Sequence, residues 1–425
     1  MTAWLGCPGW LQTGALVLLG VIVGAIANHA ITTWCWFNRP SSPWAKINHW
    51  NLTGETAAVA DSLPQRPWWS RVPVFGWIAM RAETPLFGSG FWIRPLCIEL
   101  SLAAMLPMIH SAYLSGLFLP AVVPPATVAA CATWLALIFF VHVGVIGAMV
   151  AATFIDFDER TIPDAITLPG TLIGLLIASC SPMIFLPGLE LNGVGPVLFY
   201  SPETLTQRWM GVTGLLTGIG IWSTYCFAMA DRRWIMRRGI VKALAWFWHA
   251  LTRTGTWKWL LMLWLVGIVV IGAVHWVGNR YWVGLLTSLS GLAVGGGLIW
   301  VVRLIGRLAL GKEAMGFGDV TLMAMIGTFV GWQAALIAFF LSPMAACVIV
   351  LVRWVITREA ATPYGPYLCA GVALTVAFWD SVYNRNLRLT LMMLGGNLLW
   401  FGVAMALALL AMLWMWRLVK ERLIQ

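Results

Sequence analysis

The chain has 425 residues, of which 60% are apolar and only 10% are charged, and its formal net charge is +10. A soluble protein usually carries about 25% charged residues. The composition therefore excludes a soluble globular enzyme, with or without a single anchor, and predicts an all-α polytopic transmembrane helical bundle.

Eleven apolar stretches have lengths near the roughly 20 residues that a membrane-spanning helix needs. They are residues 13–35, 95–119, 127–153, 163–186, 209–230, 259–278, 282–302, 318–331, 333–355, 364–379 and 389–416. The eighth and tenth are short, and only a turn at Gly331-Trp332 separates the eighth from the ninth. No basic residue precedes Arg39, so the first stretch lacks the basic start of a cleavable signal and is expected to remain as a helix.

The distribution of basic residues predicts the orientation of this bundle. If the N-terminus is outside and the helices alternate, every Lys and Arg lies on the inner side except Arg208, Arg280, Arg385 and Arg388. Cytoplasmic loops carry the excess of Lys and Arg. The pattern therefore predicts a multi-pass protein of the cytoplasmic membrane with about eleven helices, an outside N-terminus and an inside C-terminus.

The polar segments suggest three parts: a first transmembrane helix (1–36), a cytoplasmic region (37–94) and a transmembrane bundle (95–425). Residues 231–258 mix bases with Trp and Phe, which is typical of an amphipathic helix lying on anionic headgroups. Because this segment already sits against a membrane, we expect the lipid bilayer, and no nucleic acid, as its partner. The eight cysteines form no C-x-x-C pair, so neither a metal site nor a disulfide framework is expected.

An acidic cluster, DFDERTIPD, follows the third apolar stretch and contains Asp156, Asp158 and Asp164. Thr161, Pro163 and Asp164 fit a capping box with a proline in the first turn of the next helix, which gives Asp164 a structural role. Asp158 could be solvated. Asp156 closes an apolar run with nothing nearby in sequence to pair it, and a carboxylate at such a position is costly and usually functional.

A second motif, Gly316-Phe317-Gly318-Asp319, precedes the eighth stretch. Asp319 suits the N-terminus of a helix, where it could act as an N-cap. The glycines could let the backbone leave helical geometry, as is tolerated in a membrane only where the backbone lines a wet cavity. The motif is weak evidence alone, and its value depends on the acidic cluster on the same side of the membrane.

Asp156 and Asp319 together predict hydrolysis by two carboxylates. Two neighbouring carboxyl groups share one proton, since both cannot ionise cheaply. The ionised group can take a proton from water while the protonated group polarises a carbonyl, without a metal or a protein nucleophile. A Ser–His hydrolase is disfavoured, because no nucleophile elbow accompanies His110, His142 or His275, which we interpret as packed histidines.

At this point the sequence resembles the prepilin peptidases, the GxGD-type membrane aspartyl proteases that process type IV prepilins and type II secretion pseudopilins. Six blocks carry the resemblance. They are GAIANHAI (24–31), RVPVFGWIAMR and RPLCIE (71–81 and 94–99), IDFDERTIPDAITLPG (155–170), KEAMGFGDVTLMAMIGTFVGW (312–332) and TPYGPYL (362–368).

The resemblance implies that Asp156 and Asp319 are catalytic, with Gly316, Gly318, Pro163 and Asp164 supporting them and the substrate-binding residues unknown. It implies cleavage of a short basic leader from prepilin or pseudopilin precursors at the cytoplasmic face. It also implies a bundle of about eight helices. Many members add a methyl group from S-adenosylmethionine, whereas proteolysis itself needs no cofactor.

The chain departs from the family in three places. The cytoplasmic region lacks the two C-x-x-C pairs of many members, which leaves methylation open and argues against a metal. Thr321 stands where the family usually has Lys, and residues 187–280 form an insertion with about two extra helices. A divergent member with altered substrates is therefore one expectation.

Two other functions compete with this one. A presenilin-type or signal-peptide-peptidase-type protease would carry a Tyr-Asp first motif, which is absent here. A transporter or channel could use the acids as proton relays, although no inverted repeat is apparent.

Overall fold

The computed structural model describes residues 2–37, 41–44, 66–119, 123–192, 195–199, 207–230, 256–311, 315–358 and 363–424. Of the predicted interfacial segment 231–258, only residues 256–258 are among the described residues. Most of the predicted cytoplasmic region before Arg66 also lies outside them.

The first half of the described chain is helical and ends in a short hairpin. Its helices are α1 (Thr2–Leu5), α2 (Gly9–Thr33), α3 (Phe75–Ala79), α4 (Thr84–Phe87), α5 (Ile93–Leu114), α6 (Pro125–Ala130), α7 (Ala132–Glu159) and α8 (Asp164–Cys180). Short 3-10 turns cover Trp68–Arg71, Met80–Glu83 and Pro182–Ile184. Strands β1 (Gly188–Asn192) and β2 (Gly195–Phe199) pair antiparallel, with Gly188 opposite Phe199.

The second half is helical throughout its described part. Its helices are α9 (Gln207–Met210), α10 (Val212–Met229), α11 (Thr256–Val277), α12 (Asn279–Leu310), α13 (Phe317–Thr357), α14 (Gly365–Ala377), α15 (Arg388–Leu394) and α16 (Leu398–Ile424). A π-helical segment, Asp380–Leu387, joins α14 to α15, and a 3-10 turn, Gly395–Asn397, precedes α16.

Eight of the described helices are long and apolar enough to cross a membrane, and α8 and α14 are shorter apolar helices. The chain is thus a multi-pass membrane protein, as its composition predicts. Each of the eleven predicted stretches coincides largely with a helix, and two of them share α13. That helix breaks at Gly331, where the backbone takes φ 82° and ψ 170°.

The hairpin β1–β2 is the one clear exception to the all-α prediction within the described residues. It begins the stretch 187–280 that we interpreted as an insertion. The other described parts of that stretch are the helices α9, α10 and α11. The long helices α10 and α11 lie in this stretch, and its interpretation as an insertion stays a prediction.

Two hydrophobic clusters hold the helices together. The larger one joins α2, α5, α7, the first part of α13 and α14. The smaller one joins α8, α10, α11 and α12, around Trp222, Trp282 and Leu289. The helices of the insertion therefore pack mainly beside α12 and α8, away from the cluster that surrounds the acidic motifs.

Helices α12 and α13 cross in very close contact. A Cβ at Gly291 would lie 1.9 Å from the carbonyl oxygen of Gly327, so neither position has room for a side chain. The Ser288 hydroxyl donates to the carbonyl of Thr328, 2.7 Å away. Small residues that let helices approach are common in membrane bundles, and this crossing fixes the direction in which α13 leaves the Asp319 motif.

Candidate active site

Asp156 lies in the last turn of α7, where its side chain is buried with 4% of its surface exposed. Its Oδ2 atom accepts a hydrogen bond from the backbone N–H of Gly365, 3.0 Å away. Gly365 is the first residue of α14, and the first N–H groups of a helix have no partner within the helix. The carboxylate that has no partner nearby in sequence thus finds one 209 residues further along the chain.

Asp319 lies in the first turn of α13 and is also buried, with 7% of its surface exposed. Its Oδ2 atom accepts from the backbone N–H of Gly316, 3.1 Å away. Gly316 is therefore the N-cap residue, and Asp319 stands three positions later and reaches back to it. The expectation that Asp319 is itself the N-cap is wrong, because the N-cap lies three residues earlier. The Asp319 carboxylate nevertheless accepts a hydrogen bond at this helix end.

The two carboxylates lie on helix ends that meet at Ile162, which is packed against Gly365, the donor to Asp156, and against Gly318, the neighbour of Asp319. Each carboxylate has one oxygen, Oδ2, fixed by a backbone N–H. In the described part of the chain, the other oxygen of each group makes no hydrogen bond. The site thus presents two oriented carboxyl oxygens without protein partners, which is what an attacking water and a substrate carbonyl require.

Ile162, in the loop between α7 and α8, connects the elements that carry these groups. A Cβ on Gly318 would meet Ile162 Cβ at 2.9 Å and its backbone nitrogen at 3.0 Å. A Cβ on Gly365 would meet the Asp156 Oδ2 atom at 2.6 Å and the Ile162 Cδ1 atom at 3.0 Å. Both glycines are required because the loop, α13 and α14 meet at this point with no space for a side chain.

The roles predicted for the glycines of the second motif need correction. Gly318 lies inside α13, so it does not open the helix, and it is needed for the close approach of Ile162. Gly316 has an extended backbone (φ −69°, ψ 160°) that any residue can adopt. A Cβ there would meet the Asp319 Oδ2 atom at 3.6 Å, an ordinary contact distance.

The capping box predicted for α8 is also wrong. Pro163, with φ −74° and ψ 140°, is the N-cap residue, and α8 begins at Asp164. No side chain caps this helix end, so Thr161 and Asp164 do not form the reciprocal pair. The fixed φ of Pro163 suits an extended residue as well as a first helical turn. The sequence pattern therefore could not decide whether Pro163 is the N-cap or part of the first turn.

Asp158 and Glu159 are engaged elsewhere. The Asp158 carboxylate accepts two hydrogen bonds from the Arg94 guanidinium, at 2.8 and 2.7 Å. The Glu159 carboxylate accepts from the backbone N–H groups of Trp36 and Phe37, at 2.7 and 3.0 Å. Asp158, which the sequence left open between a solvated and a functional residue, is held in an ion pair.

Tyr364 and Arg303 complete the surroundings of the pair. The Tyr364 hydroxyl lies 2.8 Å from the Ser342 hydroxyl on α13, which ties the start of α14 to that helix. The Arg303 guanidinium, from α12, lies 5.7 Å from the centre of the ring of Phe317, two residues before Asp319. Thr321, which occupies the position of the family's usual Lys, donates its hydroxyl to the Gly318 carbonyl at 3.0 Å.

The histidines make contacts typical of packed side chains. His110 accepts from the Trp4 indole at 3.2 Å, and His142 lies 2.8 Å from the Tyr113 hydroxyl. The remaining predicted candidate, His275, lies near the carbonyl groups of Met210 and Gly211. None of the partners of these three histidines is a serine.

Sequence reasoning missed three residues that shape this site. Gly365 supplies the donor to Asp156, Ile162 fills the junction, and Arg94 holds Asp158. Gly365 lies in the block TPYGPYL, which the resemblance singled out without a role, so a signal was present. Nothing in the local pattern of Ile162 distinguishes it from any other apolar residue.

Among the residues that the structure describes, no group of three or more His, Cys, Asp and Glu side chains could hold a metal ion. None of the eight cysteines, all of which are described, forms a disulfide. The site therefore consists of the two carboxylates and their backbone donors, and its chemistry must be argued from those groups.

Comparison with known proteins connects part of this chain to a family. Residues 252–351 match the type IV leader peptidase family, and this range contains Asp319 but not Asp156. A prepilin leader peptidase/N-methyltransferase of Pseudomonas putida is 32% identical over 111 residues, which cover 25% of this chain and 38% of that protein. Those of Pseudomonas aeruginosa and Pectobacterium carotovorum are 31% and 34% identical over 121 and 104 residues.

These alignments are partial. The aligned part of the chain spans about two fifths of the length of those relatives, 42% for the Pseudomonas aeruginosa protein and 37% for the Pectobacterium carotovorum protein. No solved structure matches the chain significantly.

Proposed function

We propose that this chain, whose residues 252–351 match the type IV leader peptidase family, is a membrane aspartyl endopeptidase of that family. Its substrates would be prepilin-like or pseudopilin-like precursors with a short basic leader, cut at the cytoplasmic face. The relatives named above are prepilin leader peptidases, which supports this substrate class. The orientation that the basic residues predict supports the cytoplasmic side.

One observation carries the proposal. Two buried carboxyl groups, Asp156 and Asp319, come from helix ends far apart in sequence, and each has one oxygen fixed by a backbone N–H. The other oxygen of each group has no hydrogen-bond partner among the described residues. Each of these oxygens can therefore form a hydrogen bond to a water molecule or to a substrate peptide bond.

The proposed mechanism uses these oxygens directly. The ionised carboxyl group takes a proton from a water molecule, which attacks the scissile carbonyl carbon. The protonated carboxyl group donates a hydrogen bond to the carbonyl oxygen and stabilises the charge that develops there. The backbone donors Gly365 and Gly316 keep the two groups oriented, so that little reorganisation is needed when the substrate arrives.

Methylation from S-adenosylmethionine stays a prediction. In the described part of the N-terminal region, the buried carboxylates of Glu83 and Glu99 already have partners. Glu83 binds Arg66, and Glu99 accepts from Asn28 and Trp77. Neither group is available for an added ligand, so the proposal is limited to proteolysis.

The test is cleavage of a candidate prepilin by the purified protein in liposomes, followed by the intact mass of the product. Asp156→Asn and Asp319→Asn are each expected to abolish cleavage, because an amide cannot take up or share the required proton. Asp380→Asn is a suitable control. Asp380 is a similarly buried acid that binds Arg385 rather than the candidate site.

The intact mass reports cleavage and methylation in one measurement. Cleavage by either active-site variant at the rate of the unaltered protein would contradict the proposal. Proton uptake by the liposomes that depends on both acids, without any cleavage, would favour a transporter instead.

A further inference from the structure

The acidic run at the end of α7 directs three carboxylates to three different elements. Asp156 binds Gly365 at the start of α14, Asp158 binds Arg94 at the start of α5, and Glu159 binds the backbone just beyond the end of α2. The last turn of one helix is thus in contact with the ends of three others.

This placement is unfavourable for α7 taken alone. The C-terminus of a helix carries a partial negative charge, so acids in its last turn are disfavoured and bases are preferred there. The last turn of α7 contains no base. Residue types that are unfavourable for the local structure are expected at functional sites. Here the hydrogen-bond partners of the acids must offset the repulsion between the acids and the helix C-terminus.

The contact between Asp158 and Arg94 has the geometry of a strong ion pair. Each carboxylate oxygen accepts from one of the two terminal nitrogens of Arg94, and the Asp158 side chain is 17% exposed. The same guanidinium lies 5.4 Å from the centre of the Phe154 ring, one turn earlier on α7. Bidentate pairs fix direction as well as distance, so Arg94 restricts the rotation of α7 about its axis.

Glu159 adds a second restraint from a different side. It accepts from two successive backbone N–H groups, those of Trp36 and Phe37, which follow the end of α2. Immediately after Glu159, Arg160 takes the left-handed conformation (φ 55°) and ends the helix. The chain then reaches Ile162, which contacts Gly318 and Gly365, within two residues.

We propose that Asp158 and Glu159 are positioning residues that orient the last turn of α7, so that the Asp156 carboxylate faces Gly365 and Asp319. The inference rests on the proposed function, since it concerns the same reaction. Asp156 and these two acids share one rigid turn, and a rotation of that turn moves all three carboxylates together. The N-terminal helices α2 and α5 thereby determine the geometry of a site whose second acid lies in α13.

The main experiment measures cleavage of a candidate prepilin by Asp158→Asn, Arg94→Gln and Glu159→Gln. A displacement of about 1 Å at a reacting group can cost up to about 100-fold in rate, so we expect kcat to fall about 10- to 100-fold. We expect KM to change by less than about threefold, because the three residues act on Asp156 and not on the substrate. The double variant R94D/D158R restores the ion pair with reversed charges and is expected to recover at least about a third of the kcat.

The matched control is Asp380→Asn, which removes an ion pair of the same type, between Asp380 and Arg385 at 2.9 Å, with the Asp380 side chain 12% exposed. The thermal unfolding of Asp158→Asn and Asp380→Asn is measured as well. It distinguishes a fall in kcat caused by lower stability from a fall caused by displacement of Asp156. A kcat for Asp158→Asn within twofold of the unaltered protein overturns the inference. So does an equal loss of kcat in Asp380→Asn at an equal loss of thermal stability.

A second measurement is independent of activity. Oxidative crosslinking of D156C to D319C, in a background without the native cysteines, reports whether the two positions face each other. The yield is expected to fall several-fold when Asp158→Asn is added and to stay unchanged with Asp380→Asn; equal yields overturn the inference. Absence of cleavage by the unaltered protein would contradict the proposed function. The crosslinking yield would then still test whether Asp158 orients Asp156 towards Asp319.

Discussion

The two candidate carboxylates come from helix ends of opposite polarity and are supported in different ways. Asp319 lies at a helix N-terminus, where a negative charge is favoured, and its partner, Gly316, is three residues away. Asp156 lies at a helix C-terminus, where a negative charge is disfavoured, and its partner, Gly365, is on a distant helix. The comparison shows that one acid is oriented by its own helix, whereas the other depends on the assembled bundle.

Apart from replacement of the acids themselves, Gly365→Ala is expected to have the largest effect on cleavage. It tests whether Asp156 depends on a residue of another helix. A Cβ at this position would lie 2.6 Å from the Asp156 Oδ2 atom, closer than real Cβ contacts allow. The carboxylate must move and lose its backbone donor, so we expect kcat for prepilin cleavage to fall about 100-fold. Thermal unfolding of the variant is measured alongside, and a kcat within twofold of the unaltered protein would contradict the prediction.

Gly318→Ala tests the junction from the Asp319 side. The new Cβ would lie 2.9 Å from Ile162 Cβ, and the loop that follows Asp156 must shift by a few tenths of an ångström. We expect a smaller loss, about tenfold in kcat, because the strain falls on the loop and not directly on a carboxylate.

Gly144→Ala is the matched control for both glycine variants. Gly144 lies in the middle of α7, and a Cβ there would have no neighbour within 4 Å. Alanine is favoured over glycine in a helix by about 1 kcal/mol, so cleavage should be unchanged and thermal stability equal or higher. An equally large loss of cleavage in this variant would mean that the glycine effects do not come from the junction.

Thr321→Val is expected to have the smallest effect. The Thr321 hydroxyl donates to the Gly318 carbonyl, a bond within the first turn of α13. Its loss should cost about 1 kcal/mol of stability, measured by thermal unfolding, and should leave kcat within about twofold. A tenfold loss of kcat without a change in stability would show that Asp319, like Asp156, depends on more than its own helix.

The sequence predicted those features that depend on composition and local pattern. Apolar length located all eleven helical stretches, and Gly331-Trp332 marked the break in α13. Their positions at the edges of apolar stretches singled out Asp156 and Asp319. In the structure Ile162 is packed against Gly365, the donor to Asp156, and against Gly318, the neighbour of Asp319. The catalytic role of Asp156 and Asp319, and the supporting roles of Pro163 and Asp164, stay predictions.

The sequence could not predict features that depend on tertiary contacts. The bonds from Gly365 to Asp156 and from Arg94 to Asp158 join residues 209 and 64 positions apart, and no local pattern specifies such pairs. The start of α8 was misplaced because proline suits both an N-cap and a first helical turn. The hairpin β1–β2 was missed because short glycine- and leucine-containing segments are compatible with several backbone conformations.

The break at Gly331 limits the length of the helix that carries Asp319. The part of α13 before it, residues 317–330, contains fourteen residues, and at about 1.5 Å per residue it measures about 21 Å. This is roughly 9 Å less than the hydrocarbon thickness of an ordinary bilayer. Residues 320–330 are all buried within the bundle, so other helices rather than lipid surround this short segment. The protein around the first part of α13 therefore separates Asp319 from the lipid.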